Sequence, residues 1–287
     1  MTELKSAIYT QIPVSVVILT KNEEKAIQGC IESVKDFDQI LVVDSNSTDQ
    51  TLNICSSLNT EVLNFAWNQK YPKKKQWALE NSSVNNDWVL FLDADERASS
   101  ELVTEIRDMF DTKSLTDFGA FDINLSYFFV GKKLHFGHKV TKRALINRIY
   151  CKFPEFDDLT VANMWEVEGH YQPMCAKKTR KLRSEILHDD PDPLFDYFSR
   201  HNRYSDWEAE IRHRKDLQKD IRSSRTLKGR LFDIFPGKPI VFFIYSYILK
   251  AGFLDGRAGF EYSIALSFYY WQIEIKVFEK RKNAQIR

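Results

Sequence analysis

Glycine-rich phosphate loops, paired cysteines and a signal sequence are all missing from this chain. Only 10 of the 287 residues are glycine, and neither a GxGxxG nor a GxxxxGKS/T arrangement occurs; this argues against a dinucleotide fold or a P-loop. The four cysteines are widely spaced and form no CxxC pair. We therefore expect neither a disulfide framework nor a zinc site, and a reducing compartment is favoured. The first residues, Met1-Thr2-Glu3-Leu4-Lys5, lack the apolar core of a signal peptide, so none is expected.

The net charge of +1 conceals opposite charges in the two parts of the chain. Residues 1–120 carry 11 Lys and Arg against 19 Asp and Glu, whereas residues 121–287 carry 30 against 21. We therefore expect an acidic, metal-holding first part and a second part that binds an anionic partner. Because the basic residues accompany apolar segments rather than a nucleic-acid recognition motif, a membrane surface is favoured over nucleic acid.

Short apolar runs alternate with segments of helical periodicity over the first 117 residues. The predicted strands are residues 14–19, 40–43, 61–65 and 88–92. The predicted helices lie within residues 27–37, 52–58, 73–82 and 102–110. Asn22 is the expected N-cap of the first helix, and Ser99 or Ser100 that of the last. This alternation is typical of βαβ units and predicts an α/β fold with a parallel sheet.

Two of the predicted strands end in acidic residues. Asp44 ends the second, and Asp93 and Asp95 follow the fourth. The carboxyl ends of strands are where open α/β sheets bind ligands. Two carboxylates there suit Mg²⁺ or Mn²⁺, and such a cation suits a diphosphate. The alternative is an acidic turn that leads into the next helix.

Beyond residue 117 the pattern is less regular. Residues 118–130 alternate like a strand, and residues 148–150 begin another short run. Residues 186–188 precede a turn, and residues 194–219 predict a charged amphipathic helix.

Long uninterrupted apolar runs are missing as well. Residues 239–254 and 260–278 are apolar and aromatic, but charged residues interrupt both, so neither reaches the roughly 18–20 apolar residues of a membrane span. We expect both segments to lie in a membrane interface, with Tyr and Trp at the headgroup level. The basic residues just upstream suit anionic lipid; they are Arg222, Arg225, Lys228, Arg230 and Lys238. The alternative is a helical hairpin that packs on the sheet or at a dimer interface.

Three motifs, in this order and spacing, resemble family 2 glycosyltransferases with the GT-A fold. They are residues 16–24 (VVILTKNEE), 41–49 (LVVDSNSTD) and 88–97 (WVLFLDADER). Residues 203–205 and 252–259 add a similarity to the bacterial lipopolysaccharide-core β-glucosyltransferase-like group.

The resemblance implies two domains. Residues 1–190 would form the GT-A catalytic domain, with a nucleotide-binding half at 1–117 and an acceptor half at 118–190. Residues 191–287 would form a helical, basic and aromatic region that associates with a membrane.

The resemblance also implies roles for residues at the strand ends. Thr20 and Glu23 would line the nucleotide pocket, and Asp44 would contact the base. Asp93 would face the ribose or the metal, and Asp95 would bind the metal that bridges the diphosphate. For Thr20 the alternative is an ordinary turn residue.

Basic residues complete the implied donor site. Lys75 stands where the family has a basic residue near the nucleotide, with a solvated lysine as the alternative. His188 is similar to a family histidine that reaches the metal or the diphosphate, and its alternative is a residue that only forms hydrogen bonds. Arg148, and after it Lys142 and Arg143, would bind donor phosphates or an anionic acceptor.

The general base is expected to be a carboxylate of the acceptor half. Glu166 matches the glutamate of a family His-Glu pair, although Trp165 stands in place of the histidine. Asp157, Asp158 and Glu168 are the rival carboxylates.

These roles imply an inverting glycosyltransferase that depends on Mn²⁺ or Mg²⁺. Its donor would be a nucleotide-diphosphate sugar, with a UDP-sugar favoured, and its acceptor a lipid-linked or lipopolysaccharide-type saccharide in cell-envelope polysaccharide synthesis. We expect a cytoplasmic protein, peripheral at the inner face of the cytoplasmic membrane, that binds no nucleic acid; a homodimer is left open.

Two other functions remain as alternatives. One is a non-catalytic nucleotide-sugar-binding scaffold of an envelope assembly. The more distant one is a sugar nucleotidyltransferase, but such enzymes usually have a glycine-rich basic loop, and residues 18–24 contain no glycine.

Overall fold

The computed structural model describes residues 9–155, 172–214 and 237–286. These residues fall into two compact units. The described parts of the first unit are residues 9–128, 139–155 and 172–191. Those of the second unit are residues 129–138, 192–214 and 237–286. Sequence reasoning did not assign the short segment 129–138 to the second unit.

A mixed sheet dominates the described part of the chain. Its nine strands have the order β3-β2-β1-β4-β8-β6-β11-β5, and β7 pairs with β6. The strands, together with the separate two-stranded sheet β9–β10, are β1 Ile12–Thr20, β2 Phe37–Asp44, β3 Glu61–Asn64, β4 Trp88–Asp93, β5 Glu96–Ala98, β6 Phe118–Phe129, β7 Lys132–Lys133, β8 Thr141–Asn147, β9 Cys151–Lys152, β10 Met174–Cys175 and β11 Lys178–His188. The first four strands are parallel to one another, which confirms the predicted βαβ arrangement.

Helices cover both faces of the parallel strands. In the first unit they are α1 Ile27–Ser33, α2 Thr51–Ser57, α3 Lys74–Glu80 and α4 Ser100–Asp111. Alternate residues of β1 and β4 enter two separate cores, as expected for strands buried on both sides. One core combines residues of α1, α2 and α4 with Val16, Ile18, Leu90 and Leu92. The other combines residues of α3 with Val17, Val89 and Phe91.

The starts of two helices test the predicted caps. The Ser99 hydroxyl accepts a hydrogen bond of 3.1 Å from the backbone N–H of Leu102, so Ser99 is the N-cap of α4, as predicted. The prediction that Asn22 caps α1 is wrong, because the helix begins at Ile27 after Ala26. Asn22 instead has a positive φ of 57° in the loop that precedes the helix.

Two predictions around residue 150 are also wrong. Residues 148–150 form a turn, and the strand begins only at Cys151. The short antiparallel pair β9–β10 then places Cys175 opposite Cys151, and the two form a disulfide. The expectation of no disulfide fails because 24 residues separate the two cysteines, so their spacing does not reveal the pairing. Cys30 and Cys55 are free and buried.

Helices make up most of the described second unit. They are α5 Leu194–His213, α6 Lys238–Phe243, a π-helical segment Ile244–Leu249, a 3-10 turn Gly252–Asp255 and α7 Gly256–Ile286. Within the unit, the Lys276 ammonium of α7 donates to the Ser205 hydroxyl of α5 at 2.7 Å. Lys276 also pairs with Asp206 at 2.7 Å, and Lys280 pairs with Glu210 at 2.7 Å. These contacts attach one side of α7 to α5.

A buried aspartate organises the turn before α7. The Asp255 carboxylate is 3% exposed and accepts hydrogen bonds from the backbone N–H groups of His135 and Phe136, at 3.1 and 2.8 Å. A Cβ atom at Gly259 would lie 2.0 Å from the carbonyl oxygen of Gly252, so only glycine fits there. The Gly252–Gly259 motif is therefore explained by close backbone packing.

Among the described residues, no single helix is long and apolar enough to cross a membrane. Lys238–Leu249 and Gly252–Ala284 together pass the same test of length and hydropathy, but they form a pair bent by 70°.

Candidate active site

The carboxyl ends of β1, β2 and β4 form one rim of the sheet. In the parallel ladders Thr20 is opposite Asp44, and Leu19 is opposite Asp93. The predicted acidic residues therefore meet at the sheet edge where α/β proteins bind ligands. We refer to these strand ends, together with the loops that follow them, as the acidic rim.

The loops after β1 and β2 are joined by reciprocal hydrogen bonds. The backbone N–H of Asn22 donates to the Ser47 hydroxyl at 2.8 Å, and the N–H of Thr48 donates back to Asn22 Oδ1 at 2.7 Å. The N–H of Glu23 donates to the Thr51 hydroxyl at 2.8 Å. Asn22 tolerates the positive φ that this geometry requires because Asn populates the left-handed region more readily than most residues. The first two sequence motifs thus form one structural unit.

Asp44 and Thr20 are both buried on this rim. The Asp44 carboxylate accepts hydrogen bonds from the hydroxyl and from the backbone N–H of Ser47, the latter at 2.9 Å. Among the described residues, the buried Thr20 hydroxyl has no hydrogen-bond partner. The ammonium of Lys74, also buried, donates to the Thr20 carbonyl at 3.3 Å. The contact of Asp44 with a base stays a prediction.

Lys142 of β8 lies between two carboxylates at the end of β4. Its ammonium donates to Asp93 Oδ2 at 2.8 Å and to Glu96 Oε2 at 2.7 Å. The same Glu96 oxygen accepts the backbone N–H of Asp93 at 2.9 Å. Since the Glu96 side chain is only 2% exposed, its charge depends on Lys142 for compensation. The three residues form an ionic cluster that fixes the Asp93–Glu96 turn.

The ionic cluster shifts the pKa values of its members. Desolvation would raise the pKa of Asp93, but Lys142 and Lys75 outweigh it and hold that pKa well below its usual range. Burial would lower the pKa of Lys142, but the carboxylates of Asp93 and Glu96 raise it. Burial raises the pKa of Glu96, although Lys142 opposes that effect. Asp93 and Lys142 therefore both stay charged at neutral pH.

Asp95 and His188 come together where β5 meets β11. His188 is opposite Glu96 in this antiparallel ladder, and its Nδ1 lies 3.6 Å from Asp95 Oδ2. The imidazole packs against the ring of Tyr127, with 4.9 Å between the ring centroids. Its Nδ1 is buried and has no hydrogen-bond partner among the described residues. The structure thus brings together two of the three residues that the sequence predicts as metal ligands, Asp95 and His188, whereas the third, Asp93, pairs with Lys142.

The electrostatic surroundings of Asp95 favour a cation. Burial raises the pKa of Asp95, His188 opposes that effect, and the carboxylates of Asp93 and Asp190 reinforce it. A nearby divalent cation would stabilise the ionised carboxylate. A carboxylate together with an imidazole nitrogen that has no hydrogen-bond partner is a donor set that fits such an ion.

Two side chains of the described structure, Asp95 and His188, could hold a cation. Within residues 9–155, 172–214 and 237–286, no three His, Cys, Asp or Glu side chains converge on one point. Asp95 and His188 would hold one side of the ion, and diphosphate oxygens and water would supply the other ligands.

The predictions for the basic residues Lys75 and Arg148 have different outcomes. Lys75 is close enough to Asp93 to lower its pKa, which places it near the acidic rim. Arg148 is not brought to the rim: it donates to the carbonyl oxygens of Val84 and Asp87, at 2.6 and 2.8 Å, before β4 begins. The six residues of β4 therefore separate it from Asp93 by about 20 Å, at roughly 3.3 Å per residue.

The predicted base and its rivals all lie outside the described residues; they are Glu166, Asp157, Asp158 and Glu168.

Sequence reasoning missed the central role of Lys142 and overlooked Glu96 and Lys74. The sequence predicts Lys142 only as a ligand of donor phosphates or of an anionic acceptor. The available signal was a third acidic residue, Glu96, directly after the Asp-Ala-Asp motif. A carboxylate that is buried at the start of a strand requires a cation nearby, and Lys142 of β8 supplies that charge.

Comparison with known proteins identifies the family. The sequence matches the model of glycosyl transferase family 2 over residues 15–161, a range that includes Thr20, Asp44, Asp93, Asp95 and Lys142. The chain belongs to glycosyl transferase family 2. An uncharacterised glycosyltransferase of Rickettsia typhi is 30% identical to this family 2 glycosyltransferase over 260 residues, which cover 89% of this chain and 83% of the relative. Together with the mixed α/β sheet, membership confirms the predicted family and the GT-A fold.

Two solved structures are similar over different lengths. Residues 1–349 of S. aureus TarS match with a TM-score of 0.41 and 16% identity, covering 89% of this glycosyltransferase and 90% of that chain. Glucosyl-3-phosphoglycerate synthase from Mycobacterium tuberculosis, solved with Mn²⁺, UDP and glucosyl-3-phosphoglycerate, matches with a TM-score of 0.31 and 24% identity. This second match covers 40% of the chain studied and 44% of the synthase.

Proposed function

We propose that this family 2 glycosyltransferase transfers a sugar from a nucleotide-diphosphate donor, preferentially a UDP-sugar, to a hydroxyl group of a lipid-linked saccharide. The observation that carries the proposal is the pairing of Asp95 with His188 at the acidic rim, 3.6 Å apart, with the imidazole Nδ1 buried. Thr20 and Asp44 lie on the same rim and provide polar groups for the nucleotide.

The charges of the rim support a donor that binds together with a cation. Asp93, Asp95 and Glu96 occupy one short turn, and Lys142 is committed to two of these carboxylates. A diphosphate placed here without a cation would be repelled by the carboxylate of Asp95. We therefore propose that Mn²⁺ or Mg²⁺ binds with the donor, held by Asp95 and His188.

The proposed reaction is a single displacement. The acceptor hydroxyl oxygen forms a bond to C1 of the sugar as the bond from C1 to the diphosphate oxygen breaks, so the anomeric centre is inverted. A carboxylate, for which Glu166 is the candidate, takes the hydroxyl proton. A divalent cation would neutralise the charge that develops on the leaving diphosphate. Lys142 keeps Asp93 ionised and holds the turn that presents Asp95.

A lipid-linked acceptor is proposed from features of the second unit. Many of its large apolar side chains are exposed, including Phe195, Leu249 and Phe278. Its residues 192–287 are also basic in sequence, with 18 Lys and Arg against 12 Asp and Glu. We propose that the enzyme works at the inner face of the cytoplasmic membrane in cell-envelope polysaccharide synthesis. The lipopolysaccharide-core subgroup belongs to the same proposal.

A panel of nucleotide sugars tests this function. Purified protein is incubated with UDP-, GDP- and dTDP-sugars, with and without Mn²⁺, and both thermal stabilisation and nucleotide release are measured. We expect one UDP-sugar to stabilise the fold and to be hydrolysed slowly, only with the metal. Addition of a membrane lipid extract should then move label from this sugar into the organic phase. Donor binding without hydrolysis or transfer would instead indicate a non-catalytic binding scaffold.

A further inference from the structure

The long helix α7 is apolar on two opposite sides, and α5 covers only one of them. Ile273 and Val277 on the inner side pack in a buried cluster with Ala209 of α5. The outer side carries six large apolar residues that are each between 39% and 64% exposed. They are Phe260, Ile264, Phe268, Trp271, Ile275 and Phe278. We call these six residues the outer stripe.

The outer stripe is continuous along one face of the helix. At about 100° per residue, all six side chains point within about 40° of the direction of Ile264. From Phe260 to Phe278 the stripe is about 27 Å long at about 1.5 Å per residue. The ring of Phe268 stacks on Trp271 and contacts Phe198 of α5. The stripe therefore forms an extended, largely aromatic surface.

Basic residues stand at both ends of this face. Arg257 lies about 20° from the direction of Ile264, and Lys282 lies along the same direction. The Arg257 side chain is 91% exposed, with a long ion pair to Glu261 at 3.4 Å, and Lys282 is exposed as well. An apolar middle with a cation at each end matches a helix that lies flat in the interface of an anionic bilayer.

The apolar surface continues beyond α7 within the same unit. Phe260 contacts the rings of Phe243 and Tyr247, and Tyr247 contacts Phe253. Exposed apolar residues continue along the preceding helical segments and the turn: Ile240, Ile244, Ile248, Leu249, Phe253 and Leu254. A surface made of two helical segments and a turn is broader than the narrow seam of a helix pair.

We propose that the outer stripe, with the adjoining residues Ile240–Leu254, is a docking surface for an anionic lipid bilayer. The 70° bend between the two helical segments argues for helices that lie in the interface rather than a straight span. Pairing of two copies through the stripe would bring like charges of Arg257 and Lys282 together at the ends of the seam. The proposal deepens the proposed function, because an enzyme with a lipid-linked acceptor must reach the bilayer.

Sedimentation with vesicles tests the surface. The full chain is mixed with phosphatidylcholine vesicles that either contain or lack phosphatidylglycerol. We expect binding to be at least about tenfold tighter when the anionic lipid is present, and to weaken as salt is added. Equal binding to both kinds of vesicle, or to neither, would overturn the proposal.

Two sets of substitutions locate the contact. The triple variant Ile264→Ser, Ile275→Ser and Phe278→Ser should weaken vesicle binding at least about tenfold, because three apolar side chains that the bilayer would bury are lost. The matched control combines Ile149→Ser and Met174→Ser, which remove exposed apolar side chains from the first unit and should leave binding unchanged. Arg257→Gln with Lys282→Gln should reduce the preference for phosphatidylglycerol. Wild-type binding by the triple variant would overturn the proposal.

A spectroscopic test avoids any question of folding in the triple variant. Brominated lipids should quench the tryptophan fluorescence of the wild-type protein on vesicles, and Trp271→Phe should remove most of that quenching. Equal quenching in both proteins would contradict the proposed contact. A dimer that is lost in the triple variant, with vesicle binding retained, would assign the stripe to a second copy instead.

A failure of the docking surface can be distinguished from a failure of the proposed enzymatic function. Vesicle binding is measured without donor, and donor hydrolysis is measured without vesicles. Hydrolysis without vesicle binding would overturn the docking surface alone. Vesicle binding without hydrolysis would overturn the enzymatic proposal alone.

Discussion

The ammonium of Lys142 lies 2.8 Å from Oδ2 of Asp93. This contact joins β8, antiparallel to β4, to the turn that carries the acidic motif. Glu96 shares the same ammonium, so one lysine compensates two carboxylates of a four-residue segment. Asp95, which lies between them in sequence, faces His188 instead. We propose that Asp95 and His188 are the pair that holds an external cation.

Replacement of Lys142 tests the ionic cluster. Lys142→Met should destabilise the protein by about 3–5 kcal/mol, because Glu96 would keep a buried charge without its partner. Adding Glu96→Gln to Lys142→Met should recover much of that loss. Urea unfolding of the two single variants and the double variant measures this coupling.

A more exposed ion pair in the same unit provides the control. Lys139 and Glu185 are 2.6 Å apart with side chains 29% and 25% exposed, so Lys139→Met should cost about 1 kcal/mol or less. Equal losses for the Lys142 and Lys139 variants would contradict the special role of the cluster.

The role of His188 is tested by a metal titration. His188→Gln should raise the Mn²⁺ concentration for half-maximal donor hydrolysis by at least about tenfold, because an imidazole ligand is lost while Asp95 remains. His138→Gln, in the second unit, is the matched control and should leave the titration unchanged. An unchanged titration in His188→Gln would show that the imidazole only packs against Tyr127.

The base is tested by a conservative substitution. Glu166→Gln should lower kcat by about 10²-fold or more while donor binding is retained, because only proton transfer is removed. The same substitutions at the rival carboxylates, Asp158→Asn and Glu168→Gln, should leave kcat close to that of the wild type. If either of them produces the large loss and Glu166→Gln does not, the assignment of the base is wrong.

A pH titration tests the packing of α4 against β11. Partial burial would raise the pKa of Glu105, but hydrogen bonds from Ser184 and Arg183 outweigh it and lower that pKa. The carboxylate therefore adds stability above its unfolded pKa, and this contribution is lost as the pH falls through the lower pKa of the folded state. Glu105→Gln should destabilise the protein by about 1 kcal/mol or less at neutral pH, because glutamine keeps one acceptor oxygen and solvent screens the partly exposed carboxylate.

The difference between wild type and Glu105→Gln should shrink as the solution becomes acidic. Thermal unfolding between about pH 7 and pH 3 follows it. A difference in unfolding free energy that stays constant over this range would contradict the assigned hydrogen bonds.

The parallel part of the fold was predictable because its signals are local. The runs at β1, β2 and β4 are apolar on both faces, and each is followed by polar residues at the rim. Parallel pairing then places Asp44 and Asp93 on one edge without further information. His188 could be assigned only through the family resemblance, since its approach to Asp95 depends on the distant pairing of β11 with β5.

The positions of Lys142 and Arg148 and the disulfide could not be predicted, because they depend on strand pairing between segments that are distant in sequence. Lys142 reaches Asp93 because β8 is inserted antiparallel beside β4, and the same ladder carries Arg148 to the opposite end. The register of the β4–β8 ladder therefore decides whether a basic residue lies at the rim or far from it. The disulfide between Cys151 and Cys175 likewise follows from a two-residue antiparallel pair, which no local periodicity reveals.

The proposal that Asp95 binds a divalent cation is tested by calorimetric titration of the protein with UDP, with and without Mn²⁺. We expect Mn²⁺ to tighten UDP binding at least about tenfold in the wild-type protein, and Asp95→Ala to abolish this effect. The matched control, Asp111→Ala at the C-terminal end of α4, should keep it. UDP binding that is equally tight with and without the metal, or metal-dependent binding that survives in Asp95→Ala, would contradict the assignment of Asp95.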